Sequence, residues 1–436
     1  MRLPLLLRPP QFRPVAVATV LSLAGSGLAL SGSFAADDVP SAAGGPQWIG
    51  SWAAAVTHAE PAGFTNAGLN NQSTRFIVRS TVGGDRIRVR LSNLYGEQPV
   101  QVGAATVALP NTATADEKDI DPATSHALTF SGSASPTLTK GGELLSDPVD
   151  LPVGDLGSLV ISVYFPVPTG PVTWHASSRQ NSFYGAGNLV TDAGGAGYTT
   201  TRACCWLFLS GVDVQTARSN GAVVVLGDSI VDGIASSISG NNRWTDQLAE
   251  RLLADARGGA PSVLNVGLAG SRLLHDGPEP GDAGFPGFQQ LGVNALARLD
   301  EDVFSQTRPK AVITNIGVND IWMNNESAER VIGALRQVNA QAKEHGLRSI
   351  AGTITPFEGL AGEGAWTPAK EATRQAVNAY LRSSTEFDAL VDFDLVMRDP
   401  DHPSRLRAEF DSGDHIHPNE AGYQAMADAV PLTVLR

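Results

Sequence analysis

The sequence predicts a protein in two parts, a β-sandwich of jelly-roll type followed by a parallel α/β domain. From about Trp48 to Val214, short strand-like runs are separated by clusters of Gly, Pro, Asn and Asp, and helical periodicity is lacking. After Asn220, aliphatic runs alternate with amphipathic segments of helical spacing, which is typical of a parallel sheet covered by helices. The predicted domains are therefore 37–218 and 219–436.

The strands of the first part are recognised by alternation of polar and aliphatic residues. The clearest is Arg-Ile-Arg-Val-Arg-Leu at 86–91, whose period of two predicts a sheet with one buried face. Similar runs occur at 76–81, 159–165 and 206–214.

The second part opens on the continuous aliphatic run 222–226, as expected of a strand buried on both faces. In a parallel sheet of this kind, active residues collect at the carboxyl ends of the strands. Further strands are predicted at 263–266, 311–316, 349–353 and 389–393, and helices at 244–256, 328–345, 368–383 and 419–430.

Composition excludes several classes of protein. The chain has 436 residues, of which 42% are hydrophobic, so wholesale disorder and collagen-like or coiled-coil architectures are excluded. Its net charge of −13 argues against nucleic acid as a partner. Its 2 cysteines are too few for a disulfide scaffold or a cysteine-based zinc site.

Residues 1–36 have the layout of a secretory signal peptide. A basic start precedes an apolar run at 15–30, and small residues at 33–36 form the exit. The alternative is a membrane anchor, but the run is shorter than the ~20 residues that a spanning helix needs. We expect a secreted or periplasmic protein with no stable membrane insertion after cleavage.

The adjacent Cys204 and Cys205 allow two interpretations. Outside the cytoplasm they could form a vicinal disulfide. Two small buried residues in a strand is the simpler interpretation, and the sequence favours it. Neither cysteine has a His or an acid close in sequence, which argues against a catalytic thiol.

Three residues at successive strand ends could carry chemistry. Ser229 follows the first strand and precedes a helix, where a nucleophile is well placed, although a helix N-cap is the ordinary role of such a serine. Gly270, after the second strand, could offer its backbone N–H, or simply form a turn. Asn319, after the third strand, could aim its amide at the same point, or form an Asx turn.

Near the C-terminus, Asp414 and His417 have the spacing that lets a carboxylate orient an imidazole on a short turn. His417 would then accept a proton from the serine. Two alternatives remain at this stage: a solvated loop with an N-cap, and a metal site formed by Asp414, His415 and His417.

With these four segments in this order, the region from about Ala222 to Arg436 resembles the SGNH or GDSL hydrolase family of serine esterases and lipases. The resemblance implies a flavodoxin-like three-layer α/β/α domain. It implies Ser229 as the nucleophile, Asp414 and His417 as its partners, and Ser229, Gly270 and Asn319 as the oxyanion donors. The first half looks like the β-sandwich that some secreted members carry.

The function implied is a secreted carboxylic ester hydrolase that works through an acyl-enzyme and requires no metal or organic cofactor. Its partner is an ester substrate, with acylated carbohydrates and small esters as candidates. Trp174 and Trp206 are either stacking residues for a polysaccharide or core aromatics, and the loops 273–290 and 356–368 are candidates for the acyl pocket. The alternatives are an O-acyltransferase with the same triad and a carbohydrate-binding protein with a vestigial hydrolase domain.

Overall fold

The computed structural model describes residues 45–255, 259–277, 291–361 and 365–435, so the predicted signal peptide lies outside the described residues. Residues Gly44–Arg436 form one compact unit. The described part of the chain contains no helix that is both long and apolar enough to cross a bilayer. The boundary proposed at 218/219 stays a prediction.

Two large antiparallel sheets form most of the first half, in the strand orders β1-β15-β3-β8, with β9 also on β3, and β13-β12-β2-β10-β5-β6. Their inner faces share one hydrophobic core, which confirms the sandwich. Two small sheets, β11-β14 and β4-β7, accompany the large sheets. The strands are β1 Gln47–Ala53, β2 Gln72–Arg79, β3 Gly84–Ser92, β4 Val100–Gln101, β5 Ala104–Ala108, β6 His126–Ala127, β7 Thr137–Leu138, β8 Glu143–Leu145, β9 Val149–Val153, β10 Ser158–Phe165, β11 Trp174–His175, β12 Ser182–Ala186, β13 Thr200–Arg202, β14 Trp206–Leu207 and β15 Leu209–Thr216.

The alternation seen in β3 is explained by its two faces. Ile87 and Val89 are fully buried in the sandwich core. Arg88, on the opposite face, pairs with Asp213 of β15 at 2.8 Å and lies over the ring of Trp48. One face of β3 therefore packs in the core, and the other face forms side-chain contacts with the neighbouring strands.

The predicted strand 206–214 is interrupted in the structure. Phe208 has a positive φ of 57°, and this break separates β14 from β15. β14 pairs with β11, whereas β15 pairs with β1 and β3, so β14 and β15 belong to different sheets. Trp174 and Trp206 are both buried in the core, which makes them core aromatics and not stacking residues for a substrate.

The favoured interpretation of the cysteines is wrong, because Cys204 and Cys205 are joined by a disulfide. They lie in the bend between β13 and β14, and Cys205 has a positive φ of 65°. Neighbouring side chains in an extended strand point to opposite faces, so only a departure from strand geometry lets them meet.

The second half is a five-stranded parallel sheet in the order β17-β16-β18-β19-β20, which is the flavodoxin-like order 2-1-3-4-5. Helices α5 and α6 pack on one face, and α3, α7 and α8 on the other, so the predicted three-layer α/β/α fold is confirmed. Within β16, Val224 and Leu226 lie in one core while Val223 and Val225 lie in the other, which explains the unbroken aliphatic run.

The strands of the second half, and the helices of both halves, have the following bounds. The strands are β16 Ala222–Gly227, β17 Ser262–Gly267, β18 Pro309–Asn315, β19 Arg348–Gly352 and β20 Ala389–Val391. The helices are α1 Phe64–Ala67, α2 Ser229–Asp232, α3 Trp244–Ala254, α4 Val318–Asn324, α5 Ala328–Glu344, α6 Pro368–Ser383, α7 Phe393–Met397 and α8 Glu420–Ala429, with 3-10 turns at Pro122–Thr124 and Leu432–Leu435 and a π-helical turn at Asp300–Phe304.

Candidate active site

Ser229 lies on the tight turn that follows the central strand β16. Asp228 is the N-cap of α2, and its side chain accepts a hydrogen bond from Ile230 N–H at 3.0 Å. Gly227 is required before it, because a Cβ there would approach Val231 Cγ2 to 2.0 Å. Ser229 is thereby held at the first position of the helix, 6% exposed, with its hydroxyl directed at His417.

His417 connects Ser229 to Asp414 through both nitrogens of its ring. Nε2 lies 2.8 Å from Ser229 Oγ, and Nδ1 lies 2.6 Å from Asp414 Oδ2. The other oxygen of Asp414 accepts the backbone N–H groups of Ile416 at 3.0 Å and His417 at 2.8 Å. This Asx turn holds both side chains in place and accounts for their spacing of three residues.

The electrostatics of Asp414 favour its ionised form. Partial burial acts to raise the pKa of its carboxyl, but the hydrogen bonds from the His417 ring and from two backbone N–H groups, together with the charge of His417, outweigh burial and hold the pKa well below its usual range. A carboxylate in this state fixes the tautomer of His417, with the proton on Nδ1 and the lone pair of Nε2 facing the serine.

Three residues that carry hydrogen-bond donors, Ser229, Gly270 and Asn319, line the same pocket. The backbone N–H groups of Ser229 and Gly270 make no hydrogen bond with other described residues, and both residues line the same pocket. Asn319, at the start of α4, donates from Nδ2 to Ser271 O at 3.1 Å, which leaves its second amide proton for a ligand. Donors collected in this way at one point can stabilise a developing oxyanion.

The loop that carries Gly270 is held from several sides, which the sequence did not indicate. Gly270 has a positive φ of 79°, and a Cβ there would approach Leu291 Cδ2 to 1.9 Å, so only glycine fits. The fully buried Arg298 donates to Ser271 Oγ at 2.7 Å. Asp320, next to Asn319 in sequence, accepts the N–H groups of Leu273 and Leu274 at 2.9 and 3.0 Å.

A pocket of about 310 Å³ opens onto these groups. Ser177, which belongs to the sandwich half, is a lining residue that sequence analysis missed, since no local pattern indicated it. Of the loops predicted to form the acyl pocket, 273–290 lies partly outside the described residues, and neither loop contributes a described lining residue. The full lining is Ser177, Ser229, Ile234, Ala269, Gly270, Leu291, Asn319, Trp322, Met323 and His417.

The alternative metal site at Asp414, His415 and His417 is not assembled. His415 Nδ1 lies 2.6 Å from Asp411 Oδ2, whereas His417 faces Asp414, so the two imidazoles belong to separate pairs. Among the described residues, no group of three or more His, Cys, Asp and Glu side chains could hold a metal ion.

Asp228, adjacent to Ser229, is a buried carboxyl whose pKa lies above its ordinary range. Burial raises its pKa to about 7, and the charge of Asp320 adds to this, while Ile230 N–H and His417 act in the opposite direction. A raised pKa means that the associated stability is fully present below the unfolded pKa of about 4 and is lost as the pH rises through about 7.

We therefore expect Asp228→Asn, which keeps the acceptor for Ile230 N–H but cannot ionise, to stabilise the protein at pH 8 relative to the wild type. The gain should be on the order of a few kcal/mol and should shrink towards zero at pH 4. Urea unfolding at both pH values measures this gain.

Asp392→Asn is the matched control, because Asp392 is the N-cap of α7 as Asp228 is of α2. The pKa of the Asp392 carboxyl, however, is lowered by Arg382 and by hydrogen bonds despite partial burial. That variant should lose stability at pH 8, and an equal effect of Asp228→Asn at both pH values would contradict the assignment.

Comparison with known proteins places this geometry in context. A family model described as GDSL-like lipase/acylhydrolase matches residues 223–430. No curated protein is significantly similar to the chain in sequence.

Several solved structures are similar to about half of the chain. The aryl esterase of M. smegmatis is 16% identical, with 49% of this chain and 98% of that one covered and a TM-score of 0.38. A member of the lipolytic protein G-D-S-L family from Veillonella parvula DSM 2008 is 19% identical, with coverages of 48% and 94% and a TM-score of 0.33. A psychrotrophic esterase from Pseudoalteromonas sp. is 14% identical, with coverages of 48% and 93% and a TM-score of 0.35.

Proposed function

We propose that the protein hydrolyses carboxylic esters through an acyl-enzyme on Ser229, on the premise that residues 223–430 match the model of the GDSL-like lipase/acylhydrolase family. The observation that carries the proposal is the continuous hydrogen-bonded chain from Ser229 Oγ through His417 to Asp414, at 2.8 and 2.6 Å. The intact set of Ser229, Asn319, Asp414 and His417 argues against a vestigial domain.

The reaction runs in two steps. Ser229 Oγ attacks the ester carbonyl carbon while His417 Nε2 takes its proton, and the resulting imidazolium is stabilised by the Asp414 carboxylate. The oxyanion accepts hydrogen bonds from the N–H groups of Ser229 and Gly270 and from Asn319 Nδ2. The carbon–oxygen bond to the alcohol then breaks, and His417 returns the proton to the leaving oxygen.

In the second step water replaces the alcohol. His417 takes a proton from the water, whose oxygen attacks the acyl carbon, and the bond to Ser229 Oγ breaks as His417 returns the proton to it. The walls available to the acyl group are apolar, with Ile234, Leu291 and Met323 among them, while Ser177 adds a hydroxyl at the same pocket. Small esters and acylated carbohydrates are the substrates that we propose.

An assay with p-nitrophenyl acetate tests this function, combined with covalent labelling by a fluorophosphonate probe. We expect turnover, and we expect one probe molecule per chain on the peptide that contains Ser229, with loss of activity in proportion to labelling. Loss of activity with labelling elsewhere would refute the assignment. Adding an alcohol acceptor separates hydrolysis from transfer, because an acyltransferase would yield the acetylated alcohol in place of acetate.

We also propose that residues 1–36 direct export of the protein. The basic start and apolar run support this, as does the disulfide between Cys204 and Cys205, since disulfides persist outside the reducing cytoplasm. N-terminal sequencing of the exported protein should begin close to Ala36, and an exported protein that still begins at Met1 would contradict the proposal.

A further inference from the structure

His175 of β11 forms a buried ion pair with Asp232 of α2. The ring is 2% exposed, with Nδ1 at 2.7 Å from Ala55 O and Nε2 at 3.0 Å from Asp232 Oδ1. A backbone carbonyl and a carboxylate can only accept, so both ring nitrogens must donate, and the imidazole carries a positive charge opposite the Asp232 carboxylate. Burial acts to lower the pKa of His175, but the charge and hydrogen bond of Asp232 outweigh it and raise the pKa.

Asp232 also contacts two segments of the proposed active site, the turn that carries Ser229 and the loop that carries Gly270. It is the last residue of the short helix that begins with Ser229, and its N–H donates to Asp228 O at 2.9 Å. Its second carboxylate oxygen accepts the backbone N–H of Ala269 at 3.0 Å. Ala269 is the residue directly before Gly270, so one carboxylate holds the nucleophile turn and the oxyanion loop together.

The pair is also fixed by its surroundings. His175 lies against the ring of Trp206, which is its partner in the β11–β14 ladder, with ring centroids 5.3 Å apart. The buried Arg243 donates from Nε to Asp232 O at 2.8 Å and also bonds Ser178 O. These contacts hold Asp232 in one position. A residue that positions other groups must itself be held in this way.

We propose that His175 and Asp232 act as a positioning pair that sets the place of the Gly270 N–H relative to Ser229, so that the β-sandwich half takes part in transition-state stabilisation. The inference rests on the function proposed above. Neither residue lines the substrate pocket or touches the reacting atoms, so their effect passes through Ala269 and the helix α2. Loss of this anchor should move an oxyanion donor while leaving the apolar walls formed by Ile234 and Met323 in place.

Asp232→Ala and Asp232→Asn test the proposal with p-nitrophenyl acetate. We expect the alanine variant to lower kcat about 10- to 100-fold, because a displacement on the order of 1 Å can cost that much, while KM stays within about two-fold. Asn keeps an acceptor for Ala269 N–H and can donate to a neutral His175, so kcat should be largely restored. Binding of a boronic acid, whose adduct with Ser229 places an oxygen among the same donors, should weaken in parallel with kcat.

Asp213→Ala is the matched control for buried charge. Asp213 pairs with Arg88 and accepts a hydrogen bond from Thr307 Oγ1 at 2.8 Å, so it also joins the sandwich to the α/β half. It does not line the substrate pocket. We expect this variant to unfold at lower temperature with an unchanged kcat. Equal losses of kcat in Asp213→Ala and Asp232→Ala, or a change in KM alone, would overturn the proposal.

A second pair of variants works even if Asp232→Ala fails to fold. The amide of His175→Gln replaces the Nε2 donor to Asp232, whereas that of His175→Asn replaces only the Nδ1 donor to Ala55. The Gln variant should retain more of kcat than the Asn variant, and equal values would overturn the inference. Turnover of Ser229→Ala separates failure of the positioning role from failure of the proposed function. Full activity of Ser229→Ala would refute the catalytic function itself. An inactive Ser229→Ala together with a fully active Asp232→Ala would refute only the positioning role.

Discussion

Replacing Ser229 with Ala is expected to lower kcat/KM for p-nitrophenyl acetate by a factor on the order of 10⁴–10⁶. The variant removes the atom that we propose forms the acyl-enzyme, and His417 Nε2 loses the hydroxyl at 2.8 Å. The activity that remains would come from the oxyanion donors and from substrate binding alone. Fluorophosphonate labelling should be lost together with turnover.

Ser236→Ala is the control for this substitution. Ser236 is buried within seven residues of Ser229, and its hydroxyl donates to Gly233 O at 2.7 Å without lining the pocket. We expect its kcat/KM to stay within about three-fold of the wild type while its stability falls by about 1 kcal/mol, as for one lost hydrogen bond. Undiminished turnover in Ser229→Ala would exclude the acyl-enzyme route through Ser229. Full biological activity of that variant in the absence of turnover would instead revive a binding function for the chain.

The second large effect is expected for His417→Ala, on the same order of 10⁴–10⁶ in kcat. Without the imidazole, no described group is within hydrogen-bonding distance of Ser229 Oγ to take its proton. His415→Ala provides a matched comparison, since His415 also pairs with a carboxylate, Asp411, at 2.6 Å but does not line the pocket.

We expect His415→Ala to change kcat by less than about three-fold, because its imidazole is outside the proton-transfer path. Steady-state kinetics of the two variants decide the assignment, and comparable losses in both would contradict it.

The sequence patterns predict the site best where the relevant information is local. Ser229, Gly270 and Asn319 each follow a recognisable parallel strand, and the carboxyl ends of neighbouring strands must meet at one edge of a sheet. Asp414 and His417 are close in sequence on one turn, so their contact needed no tertiary information. Ser229, Gly270, Asn319 and His417 line one pocket, and Asp414 pairs with His417, while the catalytic role of each stays a prediction.

The residues that sequence analysis missed depend on long-range pairing. His175 and Ser177 reach the α/β half because β11 pairs with β14, which in turn requires the break at Phe208. A run of apolar residues at 206–214 predicts one strand, and nothing in the periodicity marks where it changes sheets. No local pattern marks the role of Asp232, since its partner His175 is 57 residues away in sequence.

The position of β1 has a consequence for how the chain acquires its fold. Gln47 in this first strand pairs with Thr216 in the last strand of the sandwich, and Gly50 O accepts the hydroxyl of Ser262, 212 residues further on. Contacts of such large sequence separation must close long loops before they contribute, which slows folding. Nascent chains should therefore remain protease-sensitive until most of the polypeptide has been synthesised, and shortening the protein from its C-terminal side should destabilise even its first strand.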